Sequence, residues 1–204
     1  VLTQEAKQTS TQQEHHWQAA FKNRKVWLLS LMWLLQAFGT IGIGLFLPLI
    51  IKGVVSEQSN FIITLLSAVP FLFACMFMYF NGHYSDTHRA RAVPLGLPLI
   101  VSGLLLLAAI YSTNMVIAYV LLVFTIALNW AIIPIFWAVT TETVSGVAAA
   151  ASIALINAVA NIVGLALPPV IGRIKDMTSS YDAALIMVAI ALVLGGIIGL
   201  QVGR

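Results

Sequence analysis

Apolar residues gather into six long stretches, at about 26–51, 61–80, 93–111, 116–139, 147–171 and 183–202, with short polar segments between them. Each is close to the ~20 residues a helix needs to cross about 30 Å of hydrocarbon. A strand of a membrane barrel would alternate apolar and polar positions. Runs such as Leu104-Leu105-Leu106-Leu107 do not alternate, so the pattern predicts an all-α membrane protein, a bundle of six transmembrane helices. Residues 1–21 are rich in Gln, Thr, Glu and His and lack helical apolar periodicity. They read as a polar cytoplasmic linker ahead of a membrane domain over 22–204.

Glycine and proline punctuate this pattern. Gly39, Gly42, Gly44 and Pro48 fall in the first stretch, and Gly164, Pro168 and Pro169 in the fifth. In a membrane such residues permit close helix approach, bending or a break. Gly195 and Gly199 have the GxxxG spacing of a packing face. Between the second and third stretches lies Gly82-His83-Tyr84-Ser85-Asp86-Thr87-His88-Arg89-Ala90-Arg91, which reads as a Gly-led tight turn carrying one carboxylate and two arginines.

The charges set a direction. With the N-terminus inside, Lys7, Lys22, Arg24, Lys25, Arg89, Arg91 and Arg204 lie on the cytoplasmic side, against Lys52, Arg173 and Lys175 outside. Short cytoplasmic loops collect Lys and Arg, so both termini are expected in the cytoplasm, across an inner membrane. The composition agrees with a membrane chain: 60% of residues are hydrophobic and 8% charged, where a soluble domain has about 25% charged. The net charge of +3 comes from these flanking loops, and no basic–aromatic stripe suggests nucleic acid. Cys75 is the only cysteine, which excludes an internal disulfide and any CxxC site. His15 and His16 have no further ligand at metal-site spacing, so neither metal nor cofactor is expected. A polar leader beginning at Val1 suggests a segment of something longer.

The stretches hold almost no ionisable groups in their middles. Glu142 is expected near the end of the fourth, and the interior polar residues are Gln36, Asn129, Asn157 and Asn161 with Ser30, Thr40 and Ser152. Asn157 and Asn161, four apart, share a helix face. Their amides, with Trp130 and Trp137 as apolar walls, suit either a polar ligand or bonding between helices. Hydrolase chemistry would need a buried base, a His-rich metal site or paired carboxylates, and none is present, so no enzyme is expected.

Taken in order, several stretches resemble one family. They are Gly82-x-x-x-Asp86 with Arg89 and Arg91, Phe46-Leu47-Pro48-Leu49-Ile50-Ile51-Lys52, Phe136-Trp137-Ala138, Gly146 with the alanines after it, Ile153-Ala154-Leu155-Ile156-Asn157-Ala158, and Gly172-Arg173-Ile174-Lys175-Asp176. The chain resembles the C-terminal half, helices seven to twelve, of the major facilitator superfamily in its anion:cation symporter branch. The resemblance implies a secondary transporter that imports an organic anion with protons by alternating access, in partnership with an N-terminal six-helix half. It implies that Asn157 and Trp137 contact substrate, with Gln36 and Asn161 as further candidates, and that Gly82, Asp86, Arg89 and Arg91 form a conformational loop. Thr87 and Arg89 depart from the family pattern, which commonly has arginine and glycine there. The alternative is a self-contained six-helix channel or scaffold; a channel would carry a filter or charged rings, and neither is found.

Overall fold

The computed structural model describes residues 21, 23–54, 60–144 and 147–204, all of the ordered elements among them helical. In chain order these are α1 (Arg24–Val54), α2 (Asn60–Thr87), α3 (Ala92–Ile110), α4 (Met115–Ala131), α5 (Ile133–Thr143), α6 (Val147–Thr178) and α7 (Asp182–Val202). The fourth span comprises α4 and α5, so six helical segments are long and apolar enough to cross a membrane. The chain is a multi-pass membrane protein. Residues 1–20 and 22 of the expected linker, with His15 and His16, lie outside the described residues, as does Gly146.

The helices outrun the apolar stretches because backbone hydrogen bonding continues after the side chains turn polar. α2 runs to Thr87, so Gly82 is helical, and the expected Gly-led turn is corrected to a short turn at His88–Arg91. Arg89 takes the left-handed φ of 49° there. α6 likewise carries Arg173, Lys175 and Asp176 as helical residues. Neither the glycines of α1 nor Pro168 and Pro169 of α6 end their helices.

The break that does occur is in the fourth span, at Ile132, where Pro134 opens α5. A proline removes the N–H that would bond the carbonyl four residues earlier. In this bundle other helices take up the carbonyls so exposed. Pro70 leaves the Leu66 carbonyl without its helical donor, and the Tyr119 hydroxyl donates to it at 2.8 Å. Pro98 does the same to the Pro94 carbonyl, which receives Asn81 Nδ2 at 2.9 Å. Asn81 Nδ2 also donates to the Ala131 carbonyl, at the break before Pro134, at 3.0 Å.

Packing follows a two-fold plan. α1 packs on α6 and α7 as α4 packs on α2 and α3, while α3 meets α7 and α1 crosses α4. Exchanging the first three spans with the last three preserves every one of these pairs. Three spans is an odd number, so the repeats run in opposite directions through the membrane. The centre is the α3–α7 seam, where backbones nearly touch. A Cβ on Gly96 would lie 2.5 Å from the Gly196 carbonyl oxygen, and one on Gly196 would lie 2.6 Å from that of Gly96. Gly103 meets the Ala189 carbonyl oxygen at 2.7 Å in the same sense. Gly199 joins this seam through Gly96, whereas Gly195 faces Leu35 of α1, so the GxxxG pair serves two neighbours. α2 and α6 are outermost: 11% of the α2 span is buried against 50% of α7. The exposed face of α2, with Phe61, Leu65, Leu72 and Phe80, suits hydrocarbon as its solvent.

Candidate functional site

Halfway through the bundle, α1 and α4 bring three polar side chains together. Gln36 stands twelve residues into α1, about 18 Å from the end that carries Arg24 at 1.5 Å per residue. Its Nε2 donates to the Thr40 hydroxyl at 2.9 Å, and Asn129 Nδ2 of α4 donates to the same oxygen at 3.1 Å. Gln36 and Asn129 are buried at 3% and 1% exposure. Gly39 makes the approach possible, since a Cβ there would stand 3.0 Å from Asn129 Nδ2 and 2.6 Å from Leu192 Cδ2. Asn129 Oδ1 is buried without a partner. Interchanging the amide oxygen and nitrogen moves the unpaired group to nitrogen but does not remove it. A small cavity of about 40 Å³ adjoins the cluster, lined by Thr40, Gly44, Phe71, Asn129 and Trp130 among others.

One turn towards the Arg24 end, Trp33 of α1 stacks on Phe136 of α5 at 4.3 Å and meets Trp137 edge-on at 5.3 Å. Phe136 is fully buried and anchors the group, and Trp137 is half-buried beside it. Through Trp33 the structure joins Trp137 to the helix that bears Gln36. Asn157 and Asn161 stand apart from this group, on α6. Asn157 is half-buried with Nδ2 donating to Ile153 O of its own helix at 3.0 Å, and Asn161 is exposed. Trp130, expected as a wall for these asparagines, packs edge-on against Phe71 of α2.

At the end of the bundle bearing Arg24, the turn after α2 is held by a fan of bonds to Arg91. Its Nη1 donates to Asp86 Oδ1 at 2.7 Å and Ser85 Oγ at 3.0 Å, and its Nη2 donates to Glu142 Oε1 at 2.6 Å. Ser85, fully buried, donates in turn to the Ala90 carbonyl at 2.7 Å. Hydrogen bonding to Glu142 first, and to Asp86 second, pushes the Arg91 guanidinium above its ordinary range. Arg91 therefore remains charged at any working pH and ties the α2–α3 turn to the end of α5. Gly82, by contrast, makes no close approach: a Cβ there would meet nothing within 4 Å.

Three of these features escaped the sequence. Thr40 as the shared partner of two amides joins residues 89 positions apart, which no local pattern encodes. The Arg91–Glu142 pair had a faint signal, opposite charges at the ends of two stretches on the same side. Asn81 could have been found from Pro98, which exposes the Pro94 carbonyl to a donor.

A family model described as Major Facilitator Superfamily matches residues 2–168. The Pseudomonas putida protein NicT, provisionally named a metabolite transport protein, is 31% identical over 89% of this chain and 41% of its own length. An Agrobacterium vitis protein, provisionally named a tartrate transporter, is 33% identical over 100% of this chain and 47% of its own length. The Escherichia coli inner membrane transport protein RhmT is 27% identical over 88% of this chain and 42% of its own length. The chain thus spans less than half the length of the curated relatives it matches. With the family match starting ahead of α1 and running into α6 of a six-span helical bundle, the chain belongs to the major facilitator superfamily.

Proposed function

We propose that this chain is the C-terminal half of a twelve-helix secondary transporter of the anion:cation symporter branch, importing an organic anion such as a sugar acid, a dicarboxylate or an aromatic acid. Protons are the coupling ion, and alternating access against an N-terminal six-helix half is the mechanism. Family membership favours transport over catalysis, and relatives bear names of tartrate and metabolite transport. The carrying observation is the buried Gln36–Thr40–Asn129 chain at mid-depth beside the Trp33–Phe136–Trp137 cluster. Neutral amides there suit hydroxyl and carboxylate oxygens, whereas an anion at that depth also needs a counter-charge. The described spans have no Asp, Glu, Lys, Arg or His at mid-depth, so the anchoring cation and the proton carriers are assigned to the other half.

In this reading Asn157, Trp137, Gln36 and Asn161 face substrate in at least one state. Residues 1–21 are the end of the connection between halves, and 22–204 form the membrane domain, with both termini cytoplasmic at the inner membrane. The segment with Gly82, Asp86, Arg89 and Arg91 works as a latch, its Arg91 bonds made in one state and released in the other. The test is uptake of labelled tartrate, hexonates and aromatic acids by the full-length protein, with and without a protonophore. Uptake of at least one acid should collapse with the proton gradient, and Asn157→Ala should reduce it at least tenfold. Uptake of neutral sugars and of no acid would overturn the anion assignment. Gradient-independent flux through residues 1–204 expressed alone would favour a channel.

A further inference from the structure

Four span ends frame a cavity of about 480 Å³ at the end of the bundle bearing Arg24. Its charged lining is Lys25 at the start of α1, Arg89 and Arg91 of the turn, Glu142 of α5 and Arg204 beyond α7. Glu142 and Asp86 are both spent on Arg91. Among the described residues no carboxylate lies within ion-pair distance of Lys25, Arg89 or Arg204. Three cations without a carboxylate partner among the described residues therefore converge on one polar hollow.

Compensation of helix dipoles accounts for two of them. Arg204 follows the C-terminal end of α7, and Arg89 lies two residues past the C-terminal end of α2, where a positive charge is favourable. Lys25 stands at the opposite kind of helix end, in the first turn of α1, which has no acidic residue there. A helix N-terminus already carries partial positive charge, so this cation adds like charge to like. Arg89 holds its place from a left-handed backbone position, φ 49°, that disfavours any side chain. A polar hollow with one helix N-terminus, three cations that no described carboxylate pairs and room for a ligand suits an anion.

We propose that this cavity binds a phosphate group through Lys25, Arg89 and Arg204, aided by the N-terminal end of α1. The site lies at the ends of four spans, the depth of lipid headgroups, so the phosphate comes from an anionic phospholipid or from free phosphate. Glu142 acts here as a positioning residue, holding Arg91 at the rim and leaving the other cations to the ligand.

The test uses the full-length protein in neutral detergent, with binding read by native mass spectrometry and by thermal protection. The probes are phosphatidylglycerol, zwitterionic phosphatidylcholine and inorganic phosphate. Phosphatidylglycerol should bind well above phosphatidylcholine and lose about fivefold affinity per cation removed. The triple variant Lys25→Gln/Arg89→Gln/Arg204→Gln then loses about a hundredfold, while Arg173→Gln/Lys175→Gln at the other end changes nothing. Protection by inorganic phosphate alone, lost in the triple variant, assigns the site to the free anion. Arg89→Gly relieves the backbone and keeps the fold, and by itself it should cost about fivefold. Equal binding of phosphatidylglycerol and phosphatidylcholine, without phosphate protection, overturns the proposal. So does a triple variant, or Arg89→Gly, that binds as the parent does.

Discussion

Replacing Gly196 by alanine tests the two-fold seam at its tightest point. The added methyl would stand 2.5 Å from Ile100 Cγ1, 2.6 Å from the Gly96 carbonyl oxygen and 2.8 Å from the Ile100 nitrogen, where ordinary contact begins at 3.4 Å. Two of the three atoms are backbone, so no side-chain rotation clears them and α3 must move about 0.8 Å from α7. A gap of that size forfeits roughly a quarter to a half of each dispersion contact along the seam. Overpacking of this kind costs about 1–3 kcal/mol. Alanine in a helix returns at most about 1 kcal/mol over glycine, which leaves a net loss of up to about 2 kcal/mol even after the full return. Gly172→Ala is the control, because a Cβ at Gly172 meets nothing within 4 Å and only the helix gain applies. Unfolding of the full-length protein in detergent, by heat or by added SDS, should rank Gly172→Ala at or above the parent and Gly196→Ala clearly below it. If both variants match the parent, the seam is looser than 2.6 Å implies and the packing argument fails.

Asn81→Leu strips the donor from the Pro94 and Ala131 carbonyls and should cost about 1–2 kcal/mol in the same assay; Asn81→Asp, which cannot donate when ionised, should be no better. Arg89→Gly should stabilise by about 0.5–1 kcal/mol, since relief of a left-handed residue outweighs the entropy of glycine, while Arg89→Ala brings no gain. Thr40→Val leaves Gln36 and Asn129 without their shared acceptor and should cost about 2 kcal/mol. Combined with Asn129→Leu it should cost less than the two single changes together, and strict additivity in that cycle would refute the shared hydroxyl.

The six spans were legible because hydrocarbon demands long apolar runs and a self-satisfied backbone. Their ends were not, because hydrophobicity stops at Phe80 while the α2 ladder runs on to Thr87. The same criterion misplaced the turn: Gly82 has the residue type for it, yet Arg89 has the backbone angle. The break at Pro134 was hidden in Ile132-Ile133-Pro134-Ile135, which reads as uniformly apolar. At the candidate site, the polar side chains themselves could be named in advance, since few polar residues interrupt the spans. Which of them meet depends on how α1 crosses α4, a fact of packing that no single stretch contains.

The position of that crossing also explains why a polar atom there goes unpaired. A shift of 93 positions carries Gly96 to Ala189, Gly103 to Gly196 and Gln36 to Asn129. The two amides are therefore repeat mates, facing each other where the mated helices α1 and α4 cross. A symmetric pair of amides would be served by a symmetric pair of hydroxyls. Thr40 supplies one, bonded four residues along its own helix to Gln36 and across the crossing to Asn129. The mate of Thr40 is Ile133, which offers none, and the mate of Ile41 is Pro134, which bends the chain away at that point. Two amides thus share one hydroxyl, and Asn129 Oδ1 is the atom left over. An unmet acceptor at mid-depth costs about 1–3 kcal/mol unless another conformation or a bound hydroxyl satisfies it. The departure from symmetry thus falls at mid-depth, the level at which the proposed transporter would hold its substrate.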